Sequence, residues 1–359
     1  MITTAQIRQR ARDLDRLVRE EYKPQHPPKK RDWRTYEEQW AHRIRQAMRD
    51  LDPLVEQACA IAVVRGPGPP HALTRKQRVL LLLLKALYQQ SNRRMAGMLQ
   101  AFSSLAGIDV SYKTVKRLYS DPEVALAVEN LHRLMHRRRE LTTKGAEATG
   151  DGTGFALSIT QHYASTVQRQ REKAKENPPA PSGGEGKSAS TETKVKKVKR
   201  YVYAFRLMDL RTRLYVALGT SQTSERAAYE AALAWLTRMG IEVESIRLDR
   251  YYSFAGDAAR FPGARFYVLP RKDSKVHLQS EWLHAMREFV ERTTRYLEEY
   301  YRREHSEAGF SADKRMLGWS IAQRRADRID MAQTVHGTWH NLLNLNGPDY
   351  PLSTPGGSP

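Results

Sequence analysis

Cysteine is almost missing from this chain, because Cys59 is the only one in 359 residues. A single thiol excludes an intrachain disulfide and any zinc site built from several cysteines. Cys59 stands in the small apolar run 58–62, where a cysteine usually serves as a small core residue.

Long apolar runs are also missing. The longest extends from Val79 to Leu84 and is far shorter than the ~20 apolar residues of a membrane-spanning helix. The first residues do not contain the apolar stretch of a secretory signal peptide. We therefore expect a soluble, cytoplasmic protein.

Acidic residues are too few to balance the basic ones. The chain has 60 Lys and Arg against 40 Asp and Glu, which gives a formal net charge of +20. So large an excess predicts a polyanionic partner, and nucleic acid is the expected one. An anionic membrane surface is the alternative, but no basic amphipathic anchor or lipidation motif is evident.

Apolar periodicity predicts an N-terminal helical region over residues 1–65, which ends at the Gly- and Pro-rich linker 66–70. Residues 71–140 form a second region with three short predicted helices over 75–89, 93–102 and 112–119. Each of these helices has a Thr or Ser in position to cap its N-terminus. The capping residues are Thr74, Ser91 and Ser111.

The third short helix of this second region presents Lys113, Lys116 and Arg117. Short helices joined by a turn, with exposed basic residues on the last, are typical of a helix-turn-helix DNA-binding domain. A small helical bundle is the alternative for such a pattern. The charge of the whole chain favours DNA binding.

Residues 145–345 are predicted to form an α/β domain. The order is three strands, a helix, two strands and a long helix, which predicts a mixed five-stranded sheet flanked by helices. Residues 168–200 are a basic, low-complexity insertion that we expect to be disordered. Residues 347–359, rich in Pro, Gly and Ser, are predicted to be a disordered tail.

Three carboxylates stand at positions that a metal site requires. Asp151 lies in the first predicted strand, Asp249 ends the fourth, and Glu307 is on the last helix. If the two strands are neighbours, these side chains converge and repel one another unless cations neutralise them. Hard oxygen ligands select Mg²⁺ or Mn²⁺, and two such ions ~4 Å apart can support phosphoryl transfer.

Other acids compete for these roles. Asp209 stands in a hairpin turn, where Asp is common because its side chain bonds the nearby backbone. Asp257 is in a loop and is expected to be structural, and Glu304 is one helical turn from Glu307 and can pair with nearby arginines. His336 and His340 are four apart on a predicted helix, and we expect a packed or surface pair rather than a metal site.

The last predicted helix begins at Leu278, and four of its side chains with functional groups are spaced to lie on one face. Tyr300, Arg303, Glu307 and Lys314 lie at offsets 0, 3, 7 and 14, so that on one continuous helix they fall within about 60° of one another. A solvated charged face is the alternative reading of such a pattern. Gly309 inside the predicted helix costs roughly 1 kcal/mol relative to Ala and can break it.

These motifs resemble those of the DDE insertion-sequence transposases, whose catalytic domain folds like ribonuclease H. The four residues from Tyr300 to Lys314 match the Y-x2-R-x3-E-x6-K signature of one group at every position. The segment from Leu248 to Ser253 resembles the strand of the second aspartate, and Gly150–Thr153 resembles that of the first. The resemblance covers about residues 145–345.

The resemblance implies that Asp151, Asp249 and Glu307 are catalytic and bind two Mg²⁺ or Mn²⁺ ions. It also implies that Tyr300, Arg303 and Lys314 hold phosphates of the element ends. The expected substrates are double-stranded DNA, both the element ends and a target, and joining two ends favours a homodimer. Two alternatives remain: a structure-specific DNA nuclease with the same carboxylate site, and a domesticated transposase-derived DNA-binding protein.

Overall fold

A computed structural model describes residues 2–27, 32–61, 71–101, 108–157 and 201–349. The predicted basic insertion 168–200 and the predicted linker 66–70 lie outside the described residues. So does all but the start of the predicted tail 347–359. None of the helices in the described part of the chain has both the length and the apolarity needed to span a bilayer.

A mixed α/β architecture is confirmed, with six strands in the sheet rather than the five predicted. The strands are β1 (Ala146–Leu157), β2 (Tyr201–Asp209), β3 (Tyr215–Ser221), β4 (Val243–Arg247), β5 (Arg265–Tyr267) and β6 (Ser320–Ile321). They are arranged in the order β3-β2-β1-β4-β5, and β6 also pairs with β1. Strands β1, β2 and β3 pair antiparallel, whereas β4 and β6 run parallel to β1, and β5 runs parallel to β4. The sequence did not reveal β6 because it has only two residues.

The glycines of β1 occupy one face of the sheet. A Cβ on Gly150 would lie 2.6 Å from the Leu207 side chain, and one on Gly152 would lie 2.3 Å from the Glu225 carboxyl carbon. These positions therefore need glycine because their neighbours pack directly against the strand. Successive side chains alternate between faces, so Asp151 points to the opposite face.

Helices cover both faces of the sheet. Helix α8 (Glu225–Met239) is capped by Ser224 and ends at Gly240, which has φ 65°, and it packs on β2 and β3. On the other face lie α12 (Glu304–Leu317) and α13 (Ala326–Asn344). A four-residue helix, α9 (Ala255–Ala258), follows a 3-10 turn at Arg250–Tyr252.

The prediction of one long helix from Leu278 to Lys314 is wrong. This stretch forms α10 (Ser280–Glu291), α11 (Thr293–Tyr301) and then α12. Arg292 leaves the helical region with φ −136° and ψ 52°, and a turn at Arg302 and Arg303 separates α11 from α12. No proline or glycine marks either turn, so the sequence pattern alone continues through both.

The N-terminal half is helical as predicted. Helix α1 (Thr4–Leu17) continues through a π-helical turn at Val18–Tyr22 and a short turn at Lys23–Gln25. The following helices are α2 (Trp33–Cys59), α3 (Arg75–Leu87), α4 (Asn92–Ala101), α5 (Tyr112–Arg117), α6 (Pro122–Arg138) and α7 (Leu141–Lys144). Helices α2, α6 and α13 pack against one another, which joins the N-terminal helices to the sheet.

Candidate active site

The sheet places Asp151 and Asp249 at the same level. In the parallel pair of β1 and β4, Thr149 stands opposite Arg247, and the two aspartates each follow two residues later. The hydroxyl of Thr149 donates to the Arg303 carbonyl oxygen at 3.5 Å. Because Asp151 shares the face of Thr149, it lies beneath the turn between α11 and α12.

Arg303 in that turn connects the acidic residues. Its guanidinium donates to the Glu307 carboxylate at 2.8 Å, and its buried Nη1 has no hydrogen-bond partner among the described residues. Burial lowers the pKa of Arg303, but Tyr300 and the nearby carboxylates outweigh it, so the net pKa is raised. Arg303 therefore supplies the positive charge at the centre of this acidic group.

Asp151 is electrostatically coupled to both other predicted ligands. Its pKa is raised to about 6, mainly by burial and in part by the charges of Glu307 and Asp249, against the lowering effects of Arg303 and the Gly152 N–H. The Gly152 N–H donates to the Asp151 carboxylate at 2.9 Å. A carboxyl group held partly protonated near neutral pH favours a nearby cation or proton.

The donor chemistry of this group fits a hard divalent ion, since Asp151 in β1 and Asp249 just after the adjacent β4 offer carboxylate oxygens. Glu307 is turned towards Arg303, and its side chain is 51% exposed. Among the residues that the structure describes, no set of three Asp, Glu, His or Cys side chains is arranged to hold a metal ion. The two strand aspartates are therefore the residues that the sheet itself brings together.

Tyr300 and Lys314 lie on either side of this group. Tyr300 is only 3% exposed and lies under Arg303, whose guanidinium is 5.8 Å from the ring centre. Lys314 donates to the Thr153 hydroxyl at 2.6 Å and lies 4.9 Å from the centre of the Phe155 ring. Lys314 thus contacts β1 two residues beyond Asp151, and burial lowers the pKa of its ammonium group.

The residues that we expected on one face of a single helix are divided between two helices that meet at the site. Tyr300 belongs to α11, whereas Glu307 and Lys314 belong to α12. Gly309 does not break α12, and a Cβ there would lie 2.5 Å from Met208 and 3.0 Å from the Tyr215 hydroxyl. Glycine is needed at this position because α12 packs closely on the sheet.

The competing acids have separate places. Asp209 accepts bonds from the backbone N–H and the hydroxyl of Thr212, both at 2.7 Å, which confirms the turn role expected for it. Asp257 is buried and pairs with Arg226 at 2.6 Å, which confirms a structural role. Glu304 is exposed and lines the same cleft as Glu307.

An open cleft of about 620 Å³ lies above the turn between α11 and α12. Tyr300, Arg303, Glu304 and Glu307 line it, together with Leu269 from the segment after β5. The cleft therefore exposes one cation and two carboxylates beside a buried aromatic ring.

The predicted recognition surface lies on α5. Lys113, Lys116 and Arg117 are all exposed, and none of them forms an ion pair with a described residue. Basic residues of α3 differ, since Arg78 is buried in ion pairs with Asp121 and Glu123. The cations of α5 are thus exposed, whereas Arg78 of α3 is buried in ion pairs.

Sequence reasoning missed a buried polar group around Arg206. This arginine stands opposite Asp151 in the β1–β2 pair, and it binds Asp313 of α12 and, at 2.9 Å, Gln333 of α13. Asp313 also accepts from His340 at 2.8 Å and from the Tyr215 hydroxyl at 2.9 Å. The available signal was a lone charge inside the apolar strand sequence 202–208.

Comparison with known proteins identifies one informative relative. The chain is 37% identical over 302 residues to a protein of Archaeoglobus fulgidus described as a probable transposase for an insertion sequence element. The alignment covers 84% of this chain and 84% of the relative. No protein-family profile matches the chain, and no solved structure matches it.

Proposed function

This chain belongs to the insertion-sequence transposases, and from that premise we propose that it is a DDE transposase with a ribonuclease H-like catalytic domain. Metal-dependent strand cleavage and strand transfer would take place at the cleft above the α11–α12 turn, beside Asp151 of β1 and Asp249 after β4. The observation that carries the proposal is the shared level of Asp151 and Asp249 beneath Arg303. The mixed sheet flanked by helices supports the proposed fold.

Asp151, Asp249 and Glu307 are the proposed ligands of Mg²⁺ or Mn²⁺. When bound, two such ions would activate a water or a 3′-hydroxyl and stabilise the charge of the phosphoryl group. The raised pKa of Asp151 supports this assignment, because a nearby cation would favour its ionised form. Glu307 would exchange its contact with Arg303 for one with the ion.

The cations of the cleft have the chemistry to hold the phosphates of the element end. Arg303 offers a buried N–H with no partner among the described residues, which a phosphate oxygen can accept. Tyr300 supports the guanidinium from below, and burial raises the pKa of its phenol to about 12, so it remains a neutral donor. Lys314 would extend the same path along β1.

DNA recognition is proposed for residues 71–140, with Lys113, Lys116 and Arg117 of α5 directed at the element ends. Two copies of the chain would bring two ends together, so a homodimer on DNA is the proposed assembly. The exposure of these three cations supports this part of the proposal.

The test is incubation of the full chain with the DNA that flanks its gene, with Mg²⁺ or with a chelator. We expect nicks at the element ends with Mg²⁺ only, and a loss of at least ~10³-fold in Asp151→Asn, Asp249→Asn and Glu307→Gln. Removing a negative charge cannot weaken attraction to phosphate, so DNA binding should be retained.

Full activity in any of these three variants would mean that another acid serves the site, and Glu304 in the cleft is the next candidate. Cleavage of any branched duplex, with no preference for the element ends, would favour the nuclease alternative. Binding without cleavage in the unmodified chain would favour the domesticated DNA-binding protein.

A further inference from the structure

A second pocket lies beside the active-site cleft, between α1 and the turn that follows Asp249. Its volume is about 330 Å³. Three cations from two segments line it, namely Arg19 and Lys23 after α1 and Arg250 after β4, with the carboxylate of Asp15. Leu269 and Tyr301 line both this pocket and the cleft, so the two spaces are adjacent.

The N-terminal helix is fixed in place at this pocket. Arg8 donates to the carbonyl oxygens of Ser274 and Asp273, both at 3.3 Å. Tyr22 packs on Tyr301 with ring centres 4.8 Å apart. The segment between them includes the π-helical turn Val18–Tyr22, an uncommon conformation that is frequent at functional sites.

The three cations of the pocket are unpaired. None of them forms an ion pair with any residue that the structure describes, and the Nε of Arg250 is buried without a hydrogen-bond partner among those residues. Arg78 and Arg206, by contrast, are buried against carboxylates. Three like charges around one cavity repel one another, and a bound anion would relieve that repulsion.

We infer that this pocket binds a backbone phosphate of the DNA strand whose neighbouring phosphate lies in the cleft. The inference rests on the proposed function and extends it, because it assigns Arg19 and Lys23 of the N-terminal region to the substrate-binding surface. The charge of the pocket fits a phosphodiester, and the pocket lies next to the cleft, as the neighbouring phosphate of one strand requires. Free phosphate has the same chemistry and is distinguished by the test below.

The test measures binding of the full chain to a fluorescent duplex of the element end, in chelator, over a series of KCl concentrations. The double variant Arg19→Gln/Lys23→Gln should lower the slope of log affinity against log salt by about 2, and Arg250→Gln by about 1. The matched control is Arg12→Gln/Arg16→Gln, which removes the same charge from the same helix outside the pocket. It should change the slope by less than ~0.5.

Charge-conserving exchange, Arg19→Lys/Lys23→Arg, should restore the slope of the unmodified chain. Thermal melting checks that the variants fold, and Arg19 and Lys23 are exposed, so their removal should leave it unchanged. An equal change in the control, or an unchanged slope in the double variant, overturns the inference.

Calorimetry with pyrophosphate separates the two sources of phosphate. If the unmodified chain binds pyrophosphate and the double variant does not, while both give the same duplex slope, then the pocket holds a free phosphate and the DNA assignment is wrong. Because no cleavage is measured, failure of catalysis leaves the inference standing. If the unmodified chain does not bind the duplex, the proposed function fails and the inference fails with it.

Discussion

Asp313 and Glu307 stand on the same helix, α12, but have opposite surroundings, and this contrast distinguishes a structural carboxylate from a functional candidate. Asp313 is buried and accepts bonds from Arg206, Tyr215 and His340. Glu307, two turns earlier, is half exposed, and within the described part of the chain its ion-pair partner is Arg303. The first environment satisfies every charge, whereas the second leaves charges available to a ligand.

The pKa values of Asp313 and Asp151 differ in the same way, according to whether the carboxylate has a full set of partners. Burial alone would raise the pKa of Asp313, but His340 and Arg206 hold it below the ordinary value. Burial also acts on Asp151, where the opposing effect of Arg303 is insufficient and the pKa rises to about 6. A carboxylate with complete partners stabilises the fold, and one with incomplete partners is poised for a ligand.

The largest expected effect comes from breaking the buried group. Asp313→Asn leaves Arg206 and His340 without their counter-charge, so the free energy of unfolding should fall by about 3–5 kcal/mol. Urea denaturation of the chain and its variant at neutral pH measures the difference. Glu307→Gln, on the exposed side of the same helix, is the control and should change stability by less than ~0.5 kcal/mol. Equal losses in both variants would remove the distinction drawn here.

The sequence alone was sufficient to predict those features that depend on residues close together in the chain. The three short helices and their Thr and Ser caps appear close to the predicted bounds, and the mixed sheet was predicted from strand and helix order. His336 and His340 are both buried, as expected of a packed pair. Each of these features depends on neighbours in the chain.

Features set by tertiary packing could not be predicted in the same way. The turns at Arg292 and Arg302 carry no breaking residue, because they arise from how α10, α11 and α12 pack on the sheet. The partner of Arg206 lies 107 residues away, and nothing local identifies Asp313. The docking of α1 beside the cleft joins residues more than 260 positions apart.

Residues 71–140 show the same contrast, because Arg78 is buried in ion pairs whereas the cations of α5 are exposed. Removing the exposed cations should have a moderate effect on DNA affinity. Changing Lys113, Lys116 and Arg117 together to Ala should lower affinity for the element end at least ~10-fold more than affinity for random duplex. Electrophoretic mobility shifts on both duplexes measure this ratio. A matched control removes three exposed cations of α2, namely Arg34, Arg45 and Arg49. If the triple variant loses both affinities equally, these residues contact only the backbone and recognition lies elsewhere.

The smallest expected effect is a gain of stability at the active site. The folded-state pKa of Asp151 is about 6 and its ordinary value is 3.8, and burial is the main cause. The folded protein therefore binds more protons than the unfolded chain between pH 4 and 6, and the ionised carboxylate lowers stability as pH rises through that window. Asp151→Asn removes the destabilising buried charge, so without divalent ions the variant should be more stable than the unmodified chain by about 1 kcal/mol at pH 8. This expected gain is smaller than the full pKa difference implies, because Asp151 is partly exposed and solvent screens its charge. Thermal melting at pH 8 and at pH 4 measures it, and the gain should disappear at pH 4. A variant that is less stable than the unmodified chain at pH 8 would show that Asp151 belongs with Asp313, as part of the fold.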